Sequence, residues 1–185
     1  MSGNAGIVTA LRVTLTDLPL PFEGFNGQVR WVGPPRLLPE DSGGAMTYYA
    51  SALQCAPHYT DWGAMGLLHV YGIEVVPGAD YEVAAVQCDP SVESNFSAPL
   101  VVSTGRWADV AEPFNPPSPT TQPDALDVAG IVYKFKSLQG APIVAQADLF
   151  PNIPDQVIDS LDIALCVDAH KGAAYPFPGP TDCPP

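Results

Sequence analysis

From Ile7 onward the hydrophobic positions recur every second residue. Leu11, Val13 and Leu15 alternate with Arg12 and Thr14, and Pro19 and Pro21 stop the run. Strict alternation of this kind predicts a strand with one buried face. The same pattern predicts strands at Gln28–Val32, ended by Gly33-Pro34-Pro35, and at Tyr48–Cys55. It predicts others at Leu67–Tyr71, Ile73–Val76, Tyr81–Gln87 and Leu100–Ser103. Six or seven short strands separated by turn residues predict a β-sandwich.

Past Arg106 the period changes. A Pro-rich stretch (EPFNPPSPTTQP) leads into Asp124–Leu138, where Val128, Ile131, Val132 and Phe135 fall on one helical face. Ile163, Cys166, Val167 and His170 repeat that spacing. The two helices belong to a duplication. Asp124, Leu126 and Asp127 recur 35 residues later as Asp159, Leu161 and Asp162, and Ala108-Asp109-Val110 matches Ala147-Asp148-Leu149. The repeated unit is A-D-[VL], a Pro-rich loop, D-x-L-D-[VI]-A, then a short amphipathic helix. The boundary between the two textures falls near Arg106–Pro119, which predicts separate cores.

Composition narrows the function. The 22 prolines and 16 glycines favour stiff loops and short strands over long helices. Twenty acids against seven bases give a net charge of −13, which repels a phosphate backbone, so a nucleic-acid partner is not expected. No run approaches the roughly 18 apolar residues of a membrane span, so no membrane insertion is expected. The four cysteines, Cys55, Cys88, Cys166 and Cys183, form no CxxC pair, and His58, His69 and His170 stand apart from them. Zinc spacing is therefore missing, and an even count in a Pro-rich, Lys-poor chain reads as an oxidising, extracellular or cell-surface setting. Met1-Ser2-Gly3 opens directly into strand pattern, which implies a leader already removed or a segment of a longer precursor.

The run VVPGADYEVAAVQC followed by SNFSAPLVVST resembles the late strands of a fibronectin type III domain. QVRWVGPP resembles its second strand, and the resemblance covers residues 7–105. It implies that Tyr81 is a buried corner tyrosine and Trp31 a core aromatic. It also implies that Cys55 and Cys88 end neighbouring strands, close enough for a disulfide. Residues 106–185, and most closely 106–178, resemble the duplicated half EF-hand units of a dockerin followed by a Pro-rich tail. The fold class expected is thus mainly β, a fibronectin type III-like sandwich with a small dockerin-like loop–helix module.

The dockerin resemblance implies calcium as cofactor. Asp127 and Asp162 would close the loops, Asp124 and Asp159 would be ninth-position ligands, and Asp109 and Asp148 would open them. Asn152 and Asp155 would serve the middle of the second loop, and Asn115 with Glu112 the first. Yet the bounding aspartates lie 14 (Asp148 to Asp162) and 18 (Asp109 to Asp127) residues apart, with prolines where the loop glycine belongs. An Asp three residues before another Asp at a helix start is also a capping arrangement, needing no metal. Cys166 fits either a small core position or a disulfide to Cys183.

No GxSxG or HExxH signature surrounds Ser51, His58 and Asp61, so catalysis is not expected. Trp62, in the loop APHYTDWGAMG, suits either packing over the sandwich end or stacking on a sugar. The resulting expectation is a non-catalytic, calcium-stabilised extracellular attachment region. Its partner would be a cohesin-like domain or, in the alternative of a structural fibre subunit, neighbouring copies of itself.

Overall fold

A computed structural model of the chain describes residues 8–39, 47–87, 89–111 and 123–184. Seven strands form one curled, mostly antiparallel sheet: β1 (Ala10–Asp17), β2 (Val29–Val32), β3 (Arg36–Leu37), β4 (Tyr48–Gln54), β5 (Leu67–Tyr71), β6 (Asp80–Val86) and β7 (Leu100–Ser103). Their order is β3-β4-β2-β1-β6-β7, with β5 paired to β4. β1 sits at the centre, pairing Val13 with Arg30 on one side and with Val83 on the other. Val13 and Leu15 lie on one face, buried in the main core, and Ala10 on the opposite face is buried beside Trp31 and Val86, so both faces of β1 are covered.

The curl arises at β4. Its end pairs antiparallel with β2 through Leu53 and Gln54, while Tyr48–Ala52 run parallel to β5. One strand thereby belongs to two portions of the sheet, which close over Val13, Leu15, Leu18, Phe22, Val32, Val76, Ala79 and Tyr81. The architecture is mainly β and consistent with a sandwich. Residues 73–76, expected as strand, form a turn instead. The reason is Tyr81, whose hydroxyl accepts from Val76 N at 2.8 Å and donates to the Glu74 carbonyl at 3.0 Å. These bonds replace the ladder bonds a strand would make, and burial pushes the Tyr81 hydroxyl up to about 12. Trp31 is buried with Ala10 and Val86 in a smaller cluster.

Three helices follow: α1 (Ala125–Phe135), the single turn α2 (Val144–Ala147) and α3 (Ser160–His170). α1 and α3 pack on each other over Ala108, Val110, Ile131, Ala147, Leu149, Cys166 and Ala169. Ile131 and Cys166, the equivalent positions of the duplication, are both fully buried. Phe135 and His170, expected on the same stripe, are exposed because each lies at its helix's last residue, past the contact.

The tail binds these parts together. Cys183 is bonded to Cys55, across a sequence separation of 128 residues. Thr181 accepts through its carbonyl from the Arg30 guanidinium, and Asp182 accepts from Gln28 Nε2 at 2.7 Å. Arg30 is almost fully buried and also pairs with Glu74 at 3.1 Å, so the charge is satisfied by partners from three chain segments. Upstream, Gly179 lies so close to the Phe22 ring that a Cβ there would clash with it. Tyr175 packs edge-on against Phe22 and Trp107, and Phe177 against Trp107 and Tyr175.

Both expected disulfides are corrected by this arrangement. β2 and β1 lie between β4 and β6, so the ends of β4 and β6 are three strand spacings apart, about 14 Å. That is far beyond the roughly 4.4–6.8 Å a disulfide spans between Cα atoms, so Cys55 pairs with Cys183 rather than with Cys88. Cys88 itself lies outside the described residues. Cys166 is a free, buried thiol rather than the partner of Cys183, and burial pushes it up to about 12, an inert core position.

Candidate functional site

Each helix of the duplication begins with a reciprocal capping box. Asp124 accepts from Leu126 N at 2.6 Å, and Asp127 Oδ2 accepts from Asp124 N at 2.7 Å. In the second unit Asp159 accepts from Leu161 N at 2.6 Å, and Asp162 Oδ2 accepts from Asp159 N at 2.8 Å. The other oxygen of each N3 aspartate reaches back to the preceding A-D-[VL] segment. Asp127 Oδ1 accepts from Val110 N and Ala111 N at 2.9 and 3.0 Å. Asp162 Oδ1 accepts from Leu149 N and Phe150 N at 2.7 and 2.9 Å. Both aspartates are buried, at 1% and 0% exposure. Three backbone N–H groups around each carboxylate supply what a buried anion needs. The repeated motif is therefore a carboxylate latch that ties a loop start to a helix start.

Several of the expected calcium ligands take backbone or side-chain partners within the fold. In the second unit Asp162 is saturated, Asp159 caps its helix, Asp155 accepts from Val157 N at 2.8 Å, and Asn152 Oδ1 accepts from the Tyr175 hydroxyl at 2.9 Å. Asp148 Oδ2 accepts from Gln156 N at 2.6 Å, and Asp148 Oδ1 is buried without a partner. Calcium requires six to eight converging oxygens. In the first unit Asp127 and Asp124 are engaged in the same way, while Glu112 and Asn115 lie outside the described residues. Among the described residues no three His, Cys, Asp or Glu groups converge as a metal site.

The two remaining loop-opening acids, Asp109 and Asp148, line a cleft of about 230 Å³ between the sheet and the helical pair. Its sheet side carries His69, Tyr71 and Pro77, and its other walls include Arg106, Trp107, Asn152 and Tyr175. Arg106, Trp107 and Tyr175 were not among the residues singled out from sequence. The sequence signal for them was the aromatic density of the tail AYPFP and the adjacent pair Arg106-Trp107.

Asp148 is 8% exposed, and its carboxyl is pushed up to about 7. Burial is the chief cause; the charges of Asp162 and Asp155 add to it, and the Gln156 N–H partly offsets it. Because the folded carboxyl keeps its proton where the unfolded chain has lost it, folding takes up a proton between the ordinary carboxylate range and about pH 7. Stability from this group is thus present at low pH and lost as pH rises through that window. Asp148→Asn should remove the loss. Melting temperatures of wild type and variant, compared from about pH 5 to about pH 8, should diverge as pH rises, with wild type falling behind. Parallel curves would refute the assignment.

Ser51, His58 and Asp61 each have other partners. Ser51 is buried with its hydroxyl on the Gly33 carbonyl at 2.7 Å, Asp61 caps Gly63 N, and His58 stands edge-on to Trp62. Trp62 packs against the first core, its indole N–H donating to Thr9 O at 2.9 Å. His170 Nδ1 lies 3.2 Å from the Pro123 carbonyl.

The fold and site thus define a mainly β chain with a latched helical pair held to it by a disulfide-bonded tail. A disulfide of this kind is compatible with an extracellular setting, and among the described residues no helix is long and apolar enough to cross a membrane. Comparison with protein-family models, curated proteins and solved structures finds no match.

Proposed function

We propose that this chain is a non-catalytic extracellular attachment module whose duplicated helix starts present one binding face to a protein partner. The observation that carries this reading is the pair Leu126 and Leu161. They occupy the same position of the two latched units, between the capping aspartates, and remain 58% and 47% exposed. Two equivalent apolar side chains held on rigid helix starts suit a partner that grips both units, as the dockerin resemblance implies for a cohesin-like domain. Beside Leu126, Ala129, Gly130, Tyr133, Pro142 and Ile143 line a groove along α1 that extends this apolar surface.

A second reading, a structural subunit that assembles with neighbouring copies, is favoured by a different feature. Among the described residues β7 ends the sheet, and its Leu100, Val101 and Val102 are all exposed, an edge suited to strand addition. The tail would give such a subunit its rigidity. One pair of measurements separates the two. Binding of cohesin-type domains to the immobilised chain should weaken by about a hundredfold in the Leu126→Glu/Leu161→Glu double variant, two central apolar contacts being lost. Concentration-dependent sedimentation without any such binding would favour assembly through β7. A monomer that binds none of them would sink both readings.

A further inference from the structure

The cleft between sheet and helices holds three buried side-chain atoms without a hydrogen-bond partner: Arg106 Nη1, Asp148 Oδ1 and Asn152 Nδ2. A folded protein loses stability for each such atom unless a ligand or water answers it. Two of these residues are held in place by their other polar atom. Asp148 is fixed by Gln156 N on Oδ2, and Asn152 by the Tyr175 hydroxyl on Oδ1. Their remaining atoms are therefore spare and preoriented, which is how binding groups are presented.

We propose that this cleft binds a neutral sugar ring, with Asp148 accepting from one ring hydroxyl and Arg106 and Asn152 donating to its neighbours. Above about pH 7, where Asp148 has lost its proton, the spare set is one acceptor and two donors. Adjacent hydroxyls answer both kinds at once, because each both donates and accepts. An anion would face the carboxylates of Asp148 and Asp109, and an ammonium would face Arg106 while leaving both donors unanswered. Trp107 and Tyr175, which meet edge to face at 5.1 Å, offer apolar surface for the C–H face of a ring. The volume of about 230 Å³ suits one ring or the terminal residue of a glycan, not a longer chain.

This site goes beyond the helix-face reading, and the fate of either leaves the other standing, since Leu126 and Leu161 do not line the cleft. Saturation-transfer NMR on the intact, disulfide-bonded chain tests it, with the methyl glycosides of glucose, galactose, mannose and N-acetylglucosamine as probes. At least one should bind saturably with a dissociation constant of roughly 1 mM. Arg106→Met and Asp148→Asn should each weaken it by about tenfold, one hydrogen bond to a charged group being lost in each. Trp62→Ala should not. Both cleft variants should still melt cooperatively with the Cys55–Cys183 bond intact. The proposal is overturned if no glycoside saturates below about 50 mM, which would leave the three atoms to water alone. It is equally overturned if acetate or methylammonium binds more tightly than every glycoside, or if Trp62→Ala abolishes binding while Arg106→Met leaves it unchanged.

Discussion

Replacing Cys183 with serine should lower the melting temperature by roughly 10–20 °C, the largest effect expected of any single substitution in this chain. Closing a loop of 128 residues removes on the order of 5 kcal/mol of unfolded-chain entropy on the polymer model. The loss should exceed that of an ordinary surface change because the tail carries other contacts with it. Once released, Thr181 no longer caps the buried Arg30 guanidinium, and Tyr175 and Gly179 leave the Phe22 ring. A buried charge missing one of its acceptors is costly. Calorimetry of wild type and Cys183→Ser, with and without reductant, checks the magnitude. Reductant should bring wild type down to the variant and leave the variant unmoved. Peptide mapping of unreduced protein should show Cys55 joined to Cys183 and Cys166 unmodified until the chain unfolds. A Cys55–Cys88 peptide would overturn the tail arrangement.

Asp162→Ala should cost on the order of 3–5 kcal/mol, because it strands the buried N–H of Leu149 and the part-buried N–H groups of Phe150 and Asp159. Asp127→Ala should cost about as much through Val110, Ala111 and Asp124. Asp159→Ala should cost only about 1 kcal/mol, the ordinary worth of an N-cap. If the carboxylates serve as latches, chelator should leave the melting temperature of wild type unchanged, and added calcium should not rescue Asp162→Ala. Denaturant melts of the three variants, run with chelator and then with calcium, distinguish the cases. A chelator-sensitive wild type restored by calcium but not by magnesium would mean that the aspartates regroup around a cation.

Much of the local structure was legible from residue patterns. The alternation of Leu11, Val13 and Leu15 located the central strand, and the D-x-L-D repeat located both helix starts, including their capping aspartates. These are short-range features, decided by side-chain periodicity and by hydrogen bonds within three or four residues. Residues 73–76 read as a strand because Ile73, Glu74 and Val75 alternate apolar and polar. A hydroxyl five residues away, on Tyr81, claims the backbone groups instead.

The partners of the acids depend on long-range geometry in the same way. The acids are where a loop-closing set would put them, but backbone N–H groups from the preceding segment reach Asp127 and Asp162 first. Residue type states which groups can accept, while geometry decides what they accept from. Disulfide pairing and the cleft were beyond the sequence altogether. Cys55 could be matched to Cys183 only by knowing that β1 and β2 lie between β4 and β6, and that the tail returns across the sheet. Likewise Arg106, Asp148 and Asn152 share one cleft because the tail brings Tyr175 between the sheet and the helices. The sequence alone determined most of the strands, the two longer helices and the duplicated caps, since these arise from neighbours along the chain. Tertiary structure alone decided the clamp and the cleft, since both depend on contacts between segments whose separation along the chain carries no periodic signal.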